Sequence, residues 1–263
     1  MKKENYILVL GASGNIGGKI AQELISRGET VGVVGRSKER LQQFEGRAEI
    51  WTGDFGDDTF LQKAFSKAST LFITIPDEHL SDPPAVAKRL GVLLQDSPVT
   101  HAVNISNSIV KRGGATTRLV LLEQELNKTK GINLKHLRSA NFFENLNWGF
   151  STPYRPDLQL PYISSYEVAC VAANYLQRGD FEGVSVDVLL GERDYSMAEL
   201  AAAAGTTYQQ VPYTPENIHF YKPFNEGDFE VEARTLANTS AAKEARFTLE
   251  YFIRHDLRLT LQP

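Results

Sequence analysis

One stretch near the N-terminus constrains the chain more than any other: Tyr6-Ile7-Leu8-Val9-Leu10, followed by Gly11-Ala12-Ser13-Gly14-Asn15-Ile16-Gly17-Gly18. The uninterrupted apolar run predicts a strand buried on both faces, as in a parallel sheet. It stops at Gly11, and glycines recur at Gly14 and Gly17. Ile16, Ile20, Leu24 and Ile25 then follow at near-helical spacing up to Gly28, which predicts a helix with a glycine stop. A strand, a glycine turn and a helix suit a dinucleotide. Gly11 permits the tight turn, Gly14 admits a pyrophosphate to the backbone, and Gly17 lets the helix lie close on the strand. The helix N-terminus offers N–H groups and a positive dipole end to the phosphates. Because the spacing is G-x-x-G-x-x-G rather than G-x-G-x-x-G, the flanking strand and helix carry as much of the argument as the glycines. A tight turn without a ligand is the alternative.

The rest of the N-terminal half repeats the pattern. Strands are expected at 30–35, 49–52, 70–75, 102–106 and 132–138, with helical segments between them. That alternation predicts a doubly wound parallel sheet, an α/β fold of the Rossmann type. Residues 1–150 are read as the NADP-binding domain. Residues 151–263 form a smaller α/β substrate-side region packed on it, not an independent domain. There, Ser164-x-x-Glu167 and Ser196-x-x-Glu199 read as capping boxes, and the alternation of Val184, Val186, Val188 and Leu190 predicts a further strand. Residues 216–263 read as a helical, loop-rich lid over the carboxyl edge of the sheet.

Ligands of such sheets bind at the carboxyl ends of the strands. At the end of the second strand, a chain choosing NAD would carry Asp or Glu against the ribose hydroxyls. This one has Arg36, with Ser37, Lys38 and Arg40 beside it. A guanidinium grips a 2′-phosphate and stacks on adenine, so NADP, as NADPH in preference to NADH, is the expected cofactor. Arg36 as a solvated charge, with Ser37 capping the next helix, is the alternative. Asp54, with Phe55, follows the third strand and is placed either to accept from the adenine amino group or simply to turn the chain. Thr74, Ile75 and Pro76 close the fourth strand and should border the cofactor. A hydroxyl at Ser106, ending the fifth, would lie near the nicotinamide. Lys111, Arg112, Gly113 and Gly114 read as a basic, flexible loop, with Lys111 either stabilising negative charge on a substrate oxygen or merely solvated. Aromatics and amides mix from Ala140 to Trp148, which suits a pocket for a flat polar ring or a packed crossover segment.

Bulk properties narrow the partners. A net charge of −4 and a pI near 5.8 argue against nucleic acid or an anionic membrane. No apolar stretch approaches the roughly 20 residues of a membrane span. The first strand begins too early to leave room for a signal peptide. Cys170 is the only cysteine, so no intrachain disulfide forms; it reads as a packing residue, and a cytoplasmic setting is the default. A small-molecule substrate, no metal, and a monomer or homodimer are expected. His136, within a strand, reads as a hydrogen-bonded structural residue.

Together these residues resemble the NmrA-like group of atypical short-chain dehydrogenases. The resemblance rests on Gly11–Gly17, Val34-Gly35-Arg36-Ser37, Gly53-Asp54-Phe55, Asn104–Ser108 and above all Gly131–Asn145. It extends through Gly191-Glu192-x-x-x-Ser196–Ala201 to Phe247–Phe252. It implies NADPH-dependent reduction of a quinone or triphenylmethane dye, or redox sensing by a regulator. On that resemblance Gly11, Ser13, Gly14, Asn15, Ile16, Gly17, Arg36, Asp54, Phe55, Thr74, Ile75, Pro76, Ser106, Asn141, Phe142 and Phe143 bind the cofactor, and Asn145 and Trp148 meet the substrate. Two departures stand out. No tyrosine is followed four residues later by lysine, so the superfamily's usual acid is missing. Leu119–Leu122, before Glu123, is apolar where relatives often carry histidine or lysine. The readings that follow are an NADPH-dependent reductase of flat, electron-poor acceptors, or a non-catalytic NADP sensor that binds a protein partner.

Overall fold

A computed structural model describes residues 5–239 and 244–259. Its main element is a seven-stranded parallel sheet. We number its strands β1 (Tyr6–Val9), β2 (Thr30–Gly35), β3 (Glu49–Thr52), β4 (Thr70–Ile73), β5 (His101–Asn107), β6 (Asn133–Ser139) and β7 (Val184–Leu189). Their order across the sheet is β7-β6-β5-β4-β1-β2-β3. The direction of growth reverses at β1, with β2 on one side and β4 on the other, both parallel to it. This is the topological switch point at which doubly wound sheets bind ligands. Ile7, Leu8 and Val9 are wholly buried, as the apolar run required.

The helices of the first half are α1 (Asn15–Ser26), α2 (Lys38–Leu41), α3 (Asp58–Phe65), α4 (Pro83–Gln95) and α5 (Arg118–Leu126). α1 buries Ile20, Ala21 and Leu24 and stops before Gly28, whose φ of 78° few other residues adopt. Asp57 caps α3 and Asp82 caps α4, where Pro83 and Pro84 occupy the first turn. The second half adds α6 (Ser165–Arg178), α7 (Met197–Ala203), α8 (Ile218–Asn225) and α9 (Leu249–His255).

The chain divides into two compact units that interleave in sequence. The first comprises Met1–Ser106, Arg118–Leu137 and Val168–Asp187; the second comprises Asn107–Thr117, Arg138–Glu167 and Val188–Pro263. This differs from a single cut at residue 150. A parallel seventh strand needs a crossover helix, so the chain returns to the sheet through α6 and β7 after already contributing to the second unit. The first unit's core includes Leu8, Leu61, Phe65, Leu71, Leu90 and Leu134; the second's includes Phe143, Leu146, Tyr162, Tyr195, Leu200 and Phe252.

Two local expectations need correction. Residues 111–114 are not a flexible loop. Ile109–Arg112 and Ala115–Thr116 form an antiparallel hairpin, with Gly113 and Gly114 both at positive φ in its turn. Residues 216–259 are not only helix and loop, because Phe229–Val231 pairs with that hairpin. The alternating valines of β7 do mark a strand, but Val184 and Val186 face solvent, at 47% and 40% exposure, on the edge of the sheet. Residues 240–243 and 260–263 of the expected lid lie outside the described residues. Cys170 is half-buried.

Candidate functional site

The first unit contains a tight glycine turn between β1 and α1, in the place the glycines mark. Gly11 leaves β1 at φ 63°, and its carbonyl accepts from the Gly14 N–H at 2.9 Å. Gly14 is the N-cap of α1 in an extended conformation. No side chain caps the helix, and its first turn holds no acidic residue. No side chain competes for the N–H groups and the dipole end, an arrangement that favours an anion there. A Cβ on Gly17 would stand 2.5 Å from the Gly11 carbonyl oxygen, and one on Gly14 would stand 3.3 Å from the same atom. Gly17 is thus required for helix–strand contact, whereas Gly14 is exposed and keeps the approach open. Ser13 lies beside Gly35, its Oγ 3.1 Å from where a Cβ would be. Asn15, exposed in the first turn, accepts from Lys19 at 2.8 Å. Ile16 is half-buried beside it. These features fit a dinucleotide pyrophosphate.

Next to this turn, the carboxyl ends of β2, β3 and β4 carry an array of charges. Ser37 caps α2, accepting from the Arg40 N–H at 3.3 Å. Arg36 is free of that cap and pairs with Glu78 across 2.6 Å. Asp54 turns the chain by accepting from the Gly56 N–H at 2.6 Å, and it faces His79 at 3.8 Å. Phe55 is buried, its ring 5.0 Å from that of His79 and 4.9 Å from the Arg89 guanidinium. Thr74 packs on Gly11, Ile75 is buried, and Pro76 leads into the turn Asp77–His79. Glu78 and His79 were not singled out from sequence. The available signal was the acidic pair Asp77-Glu78 straight after Pro76.

Farther along the sheet the polar groups are already engaged. Ser106 is 2% exposed and its hydroxyl donates to Glu123 at 2.7 Å, turned into the protein rather than toward open space. His136 lies between Asn104 at 3.0 Å and Asn127 at 2.8 Å, the structural role expected of it.

In the second unit, Lys111 pairs with Glu230 at 2.9 Å across the antiparallel strands, and both side chains are exposed. Asn141 donates to the Pro161 carbonyl at 3.3 Å, and Phe142 is half-buried. Phe143 is spent on the core: it is 2% exposed, with Tyr162 at 6.4 Å and Phe252 at 5.9 Å between ring centroids. Asn145 is half-buried, while Trp148 is 79% exposed. Burial raises the Tyr154 and Tyr162 phenols above their ordinary range, away from what an acid–base tyrosine needs near neutrality.

The sheet order, the switch point at β1 and the glycine cradle define a Rossmann-type dinucleotide-binding protein. Residues 11–141 match the NAD(P)H-binding family. That domain belongs to the family, and the chain as a whole has the NmrA-like fold. The structure is similar to that of NmrA, a negative transcriptional regulator, in complex with NADP, with a TM-score of 0.76 and 14% identity over 97% of this chain and 96% of that one. It is also similar to an NADPH-dependent quinone oxidoreductase from Escherichia coli complexed with NADPH, with a TM-score of 0.73 and 18% identity over 95% and 99% of the two chains. A triphenylmethane reductase from Citrobacter sp. gives 0.70 and 17%, over 98% and 96%. No curated protein matches the sequence at a significant level. No helix among the described residues is long and apolar enough to cross a membrane.

Proposed function

We propose that the protein binds NADPH and uses it to reduce a flat, electron-poor acceptor such as a quinone. The observation that carries the cofactor reading is the uncapped start of α1 at Gly14, with Arg36 at the end of β2 to meet the 2′-phosphate. On this reading the pyrophosphate lies against Gly11–Gly17, with Ser13, Asn15 and Ile16 in its walls. The adenosine lies between Arg36 and the Asp54, Thr74, Ile75 and Pro76 edge. The bound nicotinamide supplies hydride.

The protein's contribution is to orient the two rings, which by itself removes much of the entropic barrier. A quinone makes few further demands. Hydride addition leaves a resonance-stabilised oxyanion that takes its proton from solvent, so a missing tyrosine acid does not forbid the reaction. The quinone and dye reductases of the same fold support this reading. Mixing the purified chain with NADPH and a panel of quinones and dyes tests it. Loss of nicotinamide absorbance faster than in a protein-free blank is expected; loss no faster than the blank across the panel overturns it.

A second reading is a sensor of the NADP pool that passes its state to a protein partner. It is favoured by an intact glycine turn beside an absent tyrosine–lysine acid–base pair. The fold of the regulator NmrA is compatible with it.

A further inference from the structure

Arg36 is not waiting unpartnered for a phosphate. β1 lies between β2 and β4, and the glycine cradle springs from its carboxyl end. Arg36 follows β2, and Glu78 sits in the turn Asp77–His79 that follows β4. Arg36 Nη1 and Glu78 Oε1 are 2.6 Å apart, so an ion pair joins the loops on either side of β1. The Arg36 side chain is 61% exposed and that of Glu78 46%, which places the pair in water and makes it exchangeable. The neighbouring carboxylates have other neighbours of their own: Asp77 is 4.0 Å from the Arg118 guanidinium, and Asp54 is 3.8 Å from the His79 ring. Glu78 alone among these carboxylates is matched to the guanidinium that would read the cofactor.

We propose that Glu78 is a specificity-determining residue that competes with the 2′-phosphate of NADP for Arg36. The inference rests on the reading that Arg36 meets the adenosine ribose. A guanidinium engages one oxyanion face to face. When the phosphate takes that face, Glu78 loses its cation and is left as a like charge beside a dianion. NADP binding therefore carries a cost that NAD does not, because NAD leaves the Arg36–Glu78 pair intact. The chain discriminates between the two cofactors less sharply than an unpartnered arginine would, and added salt, by weakening the pair and the phosphate contact together, flattens the difference further.

The test measures NADPH and NADH dissociation constants by titration calorimetry for the wild type, Glu78→Gln, Arg36→Gln and the double variant. Both residues are exposed, so the variants are expected to fold, and their melting temperatures check this. Glu78→Gln is expected to tighten NADPH about fivefold and leave NADH nearly unchanged, the scale of an exposed charge interaction with the added repulsion removed. In the Arg36→Gln background its effect on NADPH should fall to less than half of that. If Glu78→Gln leaves the NADPH/NADH ratio unchanged while Arg36→Gln lowers it, the competition is overturned and the Arg36 reading survives. If the Glu78→Gln effect persists undiminished without Arg36, simple repulsion replaces competition and the proposal is again overturned. If Arg36→Gln leaves the ratio unchanged, the Arg36 reading fails, and the competition with it.

Discussion

The hydroxyl of Ser106 donates to the carboxylate of Glu123 across 2.7 Å, and both residues are 2% exposed. The pair ties the end of β5 to α5. A buried carboxylate that loses a donor pays part of its desolvation cost uncompensated. Ser106→Ala should therefore destabilise the fold by about 1–3 kcal/mol, read as a lowered denaturation midpoint. NADPH affinity should change little. A large loss of affinity at unchanged stability would mean that the hydroxyl serves the cofactor instead.

Gly14 and Gly17 should separate binding from folding. At Gly14, φ is −95° and ψ 177°, a conformation open to alanine, and the residue is exposed. On the proposed function, Gly14→Ala puts a methyl where the pyrophosphate would approach. It should weaken NADPH binding by about tenfold or more, the scale of a displaced charge-assisted contact, with a smaller drop in melting temperature than Gly17→Ala, since its Cβ would stand 3.3 Å from the Gly11 carbonyl oxygen.

Gly17→Ala should do the reverse in order of severity. Its Cβ would meet the Gly11 carbonyl oxygen at 2.5 Å and the Leu10 carbonyl oxygen at 2.9 Å, both backbone atoms that cannot swing aside. A loss of about 1–3 kcal/mol in stability is expected before any ligand is added. Thermal unfolding of the ligand-free protein measures it.

Lys111 is bound to Glu230 in an exposed cross-strand pair. Such pairs contribute about 0–1 kcal/mol, so Lys111→Met should shift the midpoint only slightly and leave any acceptor reduction intact. A fall in kcat of a hundredfold or more at unchanged stability would instead give the lysine the oxyanion-stabilising role.

Glu199 completes the capping box of α7 with Ser196. The Ser196 N–H, then Gln159 and Arg193, hold its carboxyl down at about 2 against an ordinary value of 4.5. A carboxyl depressed on folding contributes stability above its unfolded value, and that contribution is lost as pH falls toward the folded one. Melting temperatures of the wild type and Glu199→Gln should thus differ most above pH 4.5 and converge between there and about pH 2. A gap that stays constant across the window would refute the linkage.

The sheet and its cradle were legible because they rest on local rules: apolar runs, helical spacing, and glycines where only glycine fits. Gly11, Gly17 and Gly28 each act as their positions in sequence imply. What was not legible depends on contacts between segments distant in sequence. The partner of Arg36 is Glu78, on a different strand's loop, and no spacing rule links them. Phe143 reads as a ring-binding aromatic from its neighbours, yet meets Tyr162, Tyr195 and Phe252 in a core assembled from three later segments. The valines of β7 alternate as a strand should, but alternation does not tell which face the protein covers, and Val184 and Val186 face water. The hairpin at 109–116 was hidden by its basic residues, although two successive glycines at its turn were a usable signal.

On the proposed function, the glycine turn holds NADP and Arg36 reads its 2′-phosphate. Calorimetric titration of the wild type and Arg36→Asp with NADPH and NADH tests it most directly. The wild type is expected to bind one NADPH per chain, more tightly than NADH, and the variant to lose at least tenfold more affinity for NADPH than for NADH, on the scale of a charge-assisted phosphate contact. Equal losses for both cofactors, or a wild type that binds NADH at least as tightly as NADPH, would contradict it.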